Sequence, residues 1–167
     1  MHTVTRLALV AIALSAFVSV EARAQSKAND IAVDALPANV KAVLVEYVAM
    51  LRASKDIDTA AKGLVPLAGG GVVDPTGTKL RTDVPRFSLK KDFDNVKFYA
   101  DPLVITRVNA TPSNGQGFGA SAIKGMVYKI WIGKKEGGAG MPAPISVMVP
   151  DGHATIKTPK VVNIGSL

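Results

Sequence analysis

The sequence predicts an α+β protein in which N-terminal helices pack on one face of an antiparallel sheet. Over residues 37–64, apolar residues recur at the spacing of amphipathic helices. After residue 94 the chain changes to runs rich in β-branched and aromatic residues, which are typical of strands. The connections between these runs are too short for the crossovers that parallel strands require. Helices followed by a run of adjacent antiparallel strands are therefore expected.

The first predicted helix covers residues 37–53, and Pro37 suits its first turn. Its apolar residues fall at i, i+3, i+4, i+7, i+8 and i+11, and they are Val40, Val43, Leu44, Tyr47, Val48 and Leu51. A second helix is expected between Asp56, a suitable N-cap, and the glycines of "LAGGG". Its apolar side consists of Ile57, Ala60, Ala61 and Leu64.

The remainder of the chain predicts mainly loop over 69–85, with a short helix there as the alternative. A short helix over 85–93 with Phe87 and Phe93 turned inward is expected next, followed by strands. The strand segments are "NVKFYA", "PLVITRVNA", "KGMVYKIWIG", "APISVMV" and "PKVVNIGS". In "KGMVYKIWIG" one face carries Met126, Tyr128, Ile130 and Ile132, and the other carries Val127, Lys129 and Trp131. Polar, Gly-rich or Pro-rich stretches between the strands are expected to be their connections.

Residues 1–24 have the pattern of a secretory signal peptide. Arg6 supplies a positive charge, residues 7–20 form an apolar run shorter than the roughly 20 residues of a spanning helix, and "ARA" at 22–24 suits cleavage. We expect cleavage before Gln25, a polar arm over 25–36 and a single domain over 37–167. The cleaved protein is expected to be periplasmic or secreted and to have no transmembrane segment.

The composition excludes several chemistries. The chain has no cysteine, which excludes thiol nucleophiles and cysteine-ligated zinc or iron–sulfur centres. His153 is the one histidine outside the leader, and the sequence predicts no metal site and no cofactor. The net charge of +7 favours anionic surfaces or acidic partners. Nucleic-acid binding is not expected, because no long basic stripe carries interleaved aromatic residues.

The stretch "NGQGFGAS", residues 114–121, is the most conspicuous glycine motif. Its spacing is G-x-G-x-G, whereas dinucleotide-binding loops need G-x-G-x-x-G between a strand and a helix. Another predicted strand follows, so no helix N-terminus is available to meet a phosphate. We interpret the motif as a flexible hairpin connection.

This order of elements resembles the NTF2-like family, which includes SnoaL-type proteins and ketosteroid isomerase. The matching segments, within residues 37–167, are "PANVKAVLVEYVAMLRAS", "DIDTAAKGLVPLAGG", "FDNVKFYADPLVITRVNA", "GMVYKIWIG" and "KVVNIGSL". The resemblance implies a cone in which helices close over a strongly curved sheet, often with a pocket, and dimers formed through the outer sheet face. The family's catalytic signature is missing, because neither an Asp–His pair nor a Tyr–Asp oxyanion pair aligns with this chain.

Two residues are candidates for a catalytic base, and each has a simpler structural interpretation. Asp101 precedes Pro102 at a predicted strand start, so it is either a turn residue or a pocket carboxylate of the kind an isomerase would use. His153, in "PDGHAT", is either an exposed turn residue or a general base, with Asp151 the nearest carboxylate in sequence.

The predicted ligand-binding residues are those that an inward-facing cavity would use: Tyr47, Leu51, Tyr99, Arg107 and Tyr128. The tyrosines suit either a cavity wall or a packed core with satisfied hydroxyls. Arg107 shares its phase with Leu103 and Ile105, and an inward arginine would need a carboxylate partner or an anionic ligand. Trp131 lies on the opposite face of its strand, which predicts that this face is covered in a homodimer.

Three functions are compatible with these observations. The first is an exported, homodimeric module that binds a small apolar or anionic ligand, or an envelope protein. The second is an isomerase or dehydratase in which Asp101 or His153 acts as base and a tyrosine hydroxyl stabilises an enolate. The third is a structural or interaction domain of the cell envelope that has no cavity and binds through the face around Trp131.

Overall fold

The computed structural model describes residues 29–138 and 141–167, and Ile31–Leu167 form one compact unit. The helices are α1 (Ala38–Ala53), α2 (Ile57–Leu64) and α3 (Leu89–Asn95). The strands are β1 (Asp30–Ile31), β2 (Ile105–Gln116), β3 (Ile123–Ile132), β4 (Ala143–Pro150) and β5 (Lys160–Asn163). The strands form one open sheet in chain order, and β2 to β5 make a continuous antiparallel meander.

Three helices on a five-stranded antiparallel sheet confirm the predicted α+β class. The predicted leader, 1–24, and residues 25–28 of the predicted polar arm lie outside the described residues. The described part of that arm contains β1 and a 3₁₀ turn over Val33–Ala35.

The first two helices form where their sequence patterns predict them. Pro37 is the N-cap of α1, and the helix buries the central residues of its apolar stripe, namely Val40, Leu44, Tyr47, Val48 and Leu51. The carboxylate of Asp56 caps α2 by accepting a hydrogen bond from the backbone N–H of Thr59 at 2.7 Å. This bond satisfies one of the free amides at the start of the helix.

The predicted short helix over 85–93 is present, but it begins with a π-helical turn over Val84–Ser88 before α3. Phe93 packs against the core as predicted. Phe87 does not, because its side chain is 65% exposed. In the wider π turn the inward positions fall at Val84 and Leu89, which turns Phe87 towards solvent.

The predicted strand "NVKFYA" is wrong. Residue 95 still belongs to α3, and a 3₁₀ turn follows over Val96–Phe98. The β-branched and aromatic residues of this segment include two that are buried in the core instead of in a strand, since Val96 is 5% exposed and Tyr99 is 2% exposed. Sheet-like pairing at this point is limited to one isolated bridge between Tyr99 and Lys134.

Two other strand boundaries differ from the prediction. Residues 111–116 follow the predicted strand segment "PLVITRVNA" and are expected from the sequence to begin a connection, but they belong to β2, because their backbone pairs with β3 despite poor strand propensity. At the other end of the sheet, β5 stops at Asn163, because the residues after it turn to hydrogen-bond with α3.

The glycine motif forms a close backbone contact. Gly117 has φ +85°, and a Cβ at this position would lie 2.7 Å from the backbone of Gly70. The two glycine-rich stretches of the sequence therefore pack directly against each other. Glycine is required at 117 both by the left-handed conformation and by this approach.

The sheet buries side chains on both faces. The helix-facing side contributes most of the main core, with Val108, Ile130, Ile132, Ile145 and Val147 all 0% exposed. The opposite side, called here the outer face, carries a small second cluster of Ile123, Met148 and Val162, against which Val127 and Ile156 pack. The alternation predicted for β3 is confirmed.

Candidate functional site

The structure places four of the five predicted ligand-binding residues in or against the main core. Tyr47, Leu51 and Tyr99 are 0%, 1% and 2% exposed, and Tyr128 is half-buried against the same cluster. These side chains fill the space between α1 and the sheet. Of the two interpretations of the tyrosines, a cavity wall or a packed core, this packing matches the packed core.

The hydroxyl of Tyr47 donates to a buried carboxylate that the sequence patterns did not indicate. Asp92, which is 0% exposed, accepts hydrogen bonds at Oδ2 from Tyr47 Oη and the Gly165 N–H, and at Oδ1 from the Leu167 N–H, each at 2.8 Å. Lys91 and Asn95 donate to the carbonyls of Gly165 and Leu167. Asp92 therefore joins α1, α3 and residues 165–167.

Burial dominates the titration of this cluster. Loss of hydration raises the pKa of Asp92, while its hydrogen bonds from Gly165, Tyr47 and Leu167 lower it in part. Burial also raises the pKa of Tyr47 well above the usual value of about 10, and the nearby Asp92 carboxylate adds to that rise. Because neither Tyr47 nor Asp92 has exposed surface, we assign this pair a structural role.

Asp101 lies at the surface, beside the C-terminal end of α1. Its side chain is 71% exposed, and Oδ1 is 2.9 Å from Arg52 Nη1. The same guanidinium donates from Nη2 to the carbonyls of Ala100 at 2.6 Å and Tyr99 at 3.2 Å. Arg52 thereby holds residues 99–101 against α1 through three acceptors.

A groove runs beside this ion pair, between α1 and residues 101–105, and we call it the α1 groove. It encloses about 300 Å³. Its lining consists of Lys41, Val45, Val48, Ala49 and Arg52 from α1, and of Asp101, Pro102, Leu103 and Ile105 from the other wall. The walls are mainly apolar, with two basic side chains and one carboxylate.

His153 occupies a separate turn between β4 and β5. Its Nδ1 accepts hydrogen bonds from the backbone N–H groups of Ile156 at 2.9 Å and Thr155 at 3.2 Å, and its carbonyl accepts one from Lys157 Nζ. These bonds order the turn. The structure does not bring His153 and Asp101 into one site, since His153 is not among the described residues that line the α1 groove.

Arg107 lies on the outer face of the sheet. A register shift between Ile105 and Arg107 changes the phase of β2, so Val108 turns to the core and Arg107 pairs across the ladder with Trp131. The guanidinium carbon lies 4.5 Å from the centre of the Trp131 ring, and Lys129 Nζ lies 5.1 Å from it. Trp131 is half-buried and lies within cation–π range of both cations.

Within residues 29–138 and 141–167, no group of three or more histidine or carboxylate side chains is arranged to hold a metal ion. No helix in the same part of the chain has the length and apolar character needed to cross a bilayer. Comparison of the chain with protein-family models, with curated proteins and with solved structures gave no match. Function is therefore inferred from the residues of the sites themselves.

Sequence reasoning identified one member of the α1 groove, Asp101, and missed its basic residues. Lys41 and Arg52 stand off the apolar stripe of α1, where they resemble ordinary solvent-facing residues. Their separation of eleven residues, about three helical turns, is a usable signal, because it places both on one face of α1.

Proposed function

We propose that the protein is an exported binding module that holds a small amphipathic anion in the α1 groove. The observation that carries this proposal is the groove itself, an apolar cleft of about 300 Å³ with basic groups at two points along α1. Its volume is at the lower end of the range of about 300–1,000 Å³ for small-molecule sites. Such sites combine apolar walls with a few polar groups that orient the ligand.

The positions of the charges suggest how the ligand lies. Lys41 and Arg52 are about 16 Å apart along the helix axis, from the helical rise of about 1.5 Å per residue. Val45, Val48 and Ala49 lie between them. Because Arg52 is already engaged by Asp101 and two carbonyls, we place the anionic group of the ligand at Lys41 and its apolar body against the valines.

Binding agrees better with this geometry than proton abstraction does. Asp101, the candidate base nearest the groove, is held in an ion pair by Arg52. A tyrosine hydroxyl would be needed beside it to stabilise an enolate, but the Tyr47 hydroxyl is committed to Asp92. The proposal therefore assigns no catalytic residue.

The proposal includes export and an NTF2-like fold. Export is supported by the leader pattern of residues 1–24. The fold is supported by the order of elements, with α1 to α3 preceding most of the sheet and packing on one of its faces. The binding unit proposed here is contained in one chain, and dimerisation through the face around Trp131 is a separate hypothesis.

An NMR titration of the ¹⁵N-labelled protein with octanoate, and in parallel with octanol, tests the proposal. Octanoate should shift amide signals of α1 and residues 101–105 at lower concentration than octanol, because only octanoate carries the anion for Lys41. Lys41→Gln should remove this preference. Ala49→Trp should fill the groove and abolish the shifts, whereas Ala42→Trp, at an exposed α1 position outside the lining, should leave them unchanged.

Shifts that Ala49→Trp and Ala42→Trp reduce equally would contradict the proposal, as would equal responses to octanoate and octanol. Native mass spectrometry of the protein isolated from expressing cells gives a second readout. A retained mass that is present in the parent chain and lost in Ala49→Trp identifies the natural ligand.

A further inference from the structure

We infer that one end of the sheet is a docking surface for an anionic lipid membrane. It lies where residues 97–107 meet β3 and residues 133–138, and we call it the basic-aromatic surface. Its central residues are Lys97, Phe98, Val104, Arg107, Trp131 and Lys135.

Backbone pairing makes this surface continuous. The Lys135 N–H donates to the Phe98 carbonyl at 2.9 Å, and the Gly133 N–H donates to the Val104 carbonyl at 2.7 Å. Val104 lies over Gly133, which has no side chain to separate it from the strand. Two residues earlier on β3, Trp131 pairs with Arg107. The two segments therefore present their side chains side by side.

Apolar groups protrude from this surface next to lysines. Phe98 and Val104 are each 50% exposed. Lys97 Nζ lies 5.2 Å from the centre of the Phe98 ring. Aromatic and aliphatic side chains accompanied by lysines are the combination that proteins use at the interface between headgroups and acyl chains.

The charge of the surface complements an anionic bilayer. Residues 97–107 and 129–138 contain five lysines and arginines but only two carboxylates, Asp101 and Glu136, and Asp101 is paired with Arg52. Each basic residue near an anionic leaflet contributes about 1 kcal/mol to binding. A second copy of this chain fits less well, because a two-fold axis here would place the same cations against each other.

The shape of the surface favours lipid over a folded acidic protein. Phe98 ends a 3₁₀ turn and Val104 precedes β2, and half of each side chain is exposed. A bilayer interface accommodates projecting side chains at any spacing, whereas a protein partner needs a matching pocket for each one.

The single tryptophan of the sequence, Trp131, reports on this surface. The full chain is titrated with vesicles of equal amounts of phosphatidylcholine and phosphatidylglycerol, and separately with pure phosphatidylcholine, while Trp131 emission is recorded. We expect a blue shift with the anionic vesicles only. It should weaken between about 0.1 M and about 1 M salt, as the screening length falls from about 10 Å to about 3 Å. Lipids brominated near the headgroup should quench the emission.

Lys97→Glu/Lys135→Glu should weaken vesicle binding roughly tenfold or more. Lys55→Glu/Lys62→Glu makes the same change of charge on exposed residues at and near α2, and it should alter binding less than roughly twofold. Every variant carries the same N-terminal residues, so differences between variants isolate the surface from any effect of the leader.

Equal weakening by the two double variants would overturn the inference, because binding would then depend on net charge alone. Sedimentation with vesicles that leaves Trp131 emission unchanged would also overturn it. Tighter binding to soluble polyglutamate than to the anionic vesicles would assign the surface to an acidic protein. A dimer that forms through this surface and prevents vesicle binding would assign it to a second copy.

Discussion

Replacing Asp92 by asparagine should destabilise the fold by about 2 kcal/mol and release residues 165–167. Three donors converge on the carboxylate, two at Oδ2 and one at Oδ1. The asparagine amide offers one oxygen, which can keep the Tyr47 and Gly165 bonds, but its NH₂ group then faces the Leu167 N–H. An unsatisfied buried donor costs about 1–3 kcal/mol, and removing the desolvated charge offsets part of that cost.

Urea unfolding followed by circular dichroism measures this loss, and hydrogen exchange locates it. The amides of Gly165 and Leu167 should exchange faster in Asp92→Asn than in the parent chain. Asp94→Asn is the matched control on the same helix, because Asp94 is half-exposed and pairs with Lys90 in an i,i+4 surface bridge. That bridge is worth at most about 0.5 kcal/mol. If Asp92→Asn costs no more than Asp94→Asn and leaves exchange at 165–167 unchanged, the structural role assigned to Asp92 is wrong.

Two further predictions concern the core and the glycine contact. The pKa of Tyr47 is raised in the folded state, so above about pH 10 the unfolded chain loses this proton before the folded chain does. The free energy of unfolding should therefore fall by up to about 1.4 kcal/mol per pH unit in this range. Urea titrations at alkaline pH should show a flatter fall for Tyr47→Phe. A slope unchanged by Tyr47→Phe would contradict this. Gly117→Ala should lower the free energy of unfolding by about 1–3 kcal/mol, because of backbone strain and because the new Cβ would lie 2.7 Å from Gly70. At Gly71 a Cβ would meet nothing within 4 Å, so Gly71→Ala should cost less than about 1 kcal/mol. Thermal unfolding measures both losses. Equal losses would show that the Gly117 contact has no special role.

Local sequence patterns predict the elements whose stability is local. The stripe of α1 and the Asp56 cap of α2 are contained in neighbouring residues, and both are confirmed. The errors occur where distant partners decide the structure. The register shift after Ile105 depends on pairing with β3, and it moves Arg107 from its expected phase to the outer face. No pattern of spacing encodes such a shift.

The candidate sites were less predictable than the fold, for the same reason. Asp92 is five residues from Phe87 in a short charged run, and its burial follows from contacts with residues 165–167, more than seventy positions away. Lys41 and Arg52 acquire a common role only when residues 101–105 form the opposite wall. A charged residue beside an apolar stripe is solvated in most helices, so the eleven-residue spacing of Lys41 and Arg52 does not by itself select them.

The segment 97–105 connects the two proposed surfaces, and it is also where the strand prediction failed. On one side, Arg52 binds the carbonyls of Tyr99 and Ala100 and fixes the wall of the α1 groove. On the other side, Gly133 and Lys135 pair with Val104 and Phe98 and hold them at the edge of the basic-aromatic surface. Residues 96–98 form a 3₁₀ turn, and the chain after it is fixed by these contacts from both sides. Sequence-level rules are expected to fail at functional or strained sites, where other contacts compensate for the irregular backbone. The contacts of Arg52, Gly133 and Lys135 supply that compensation here.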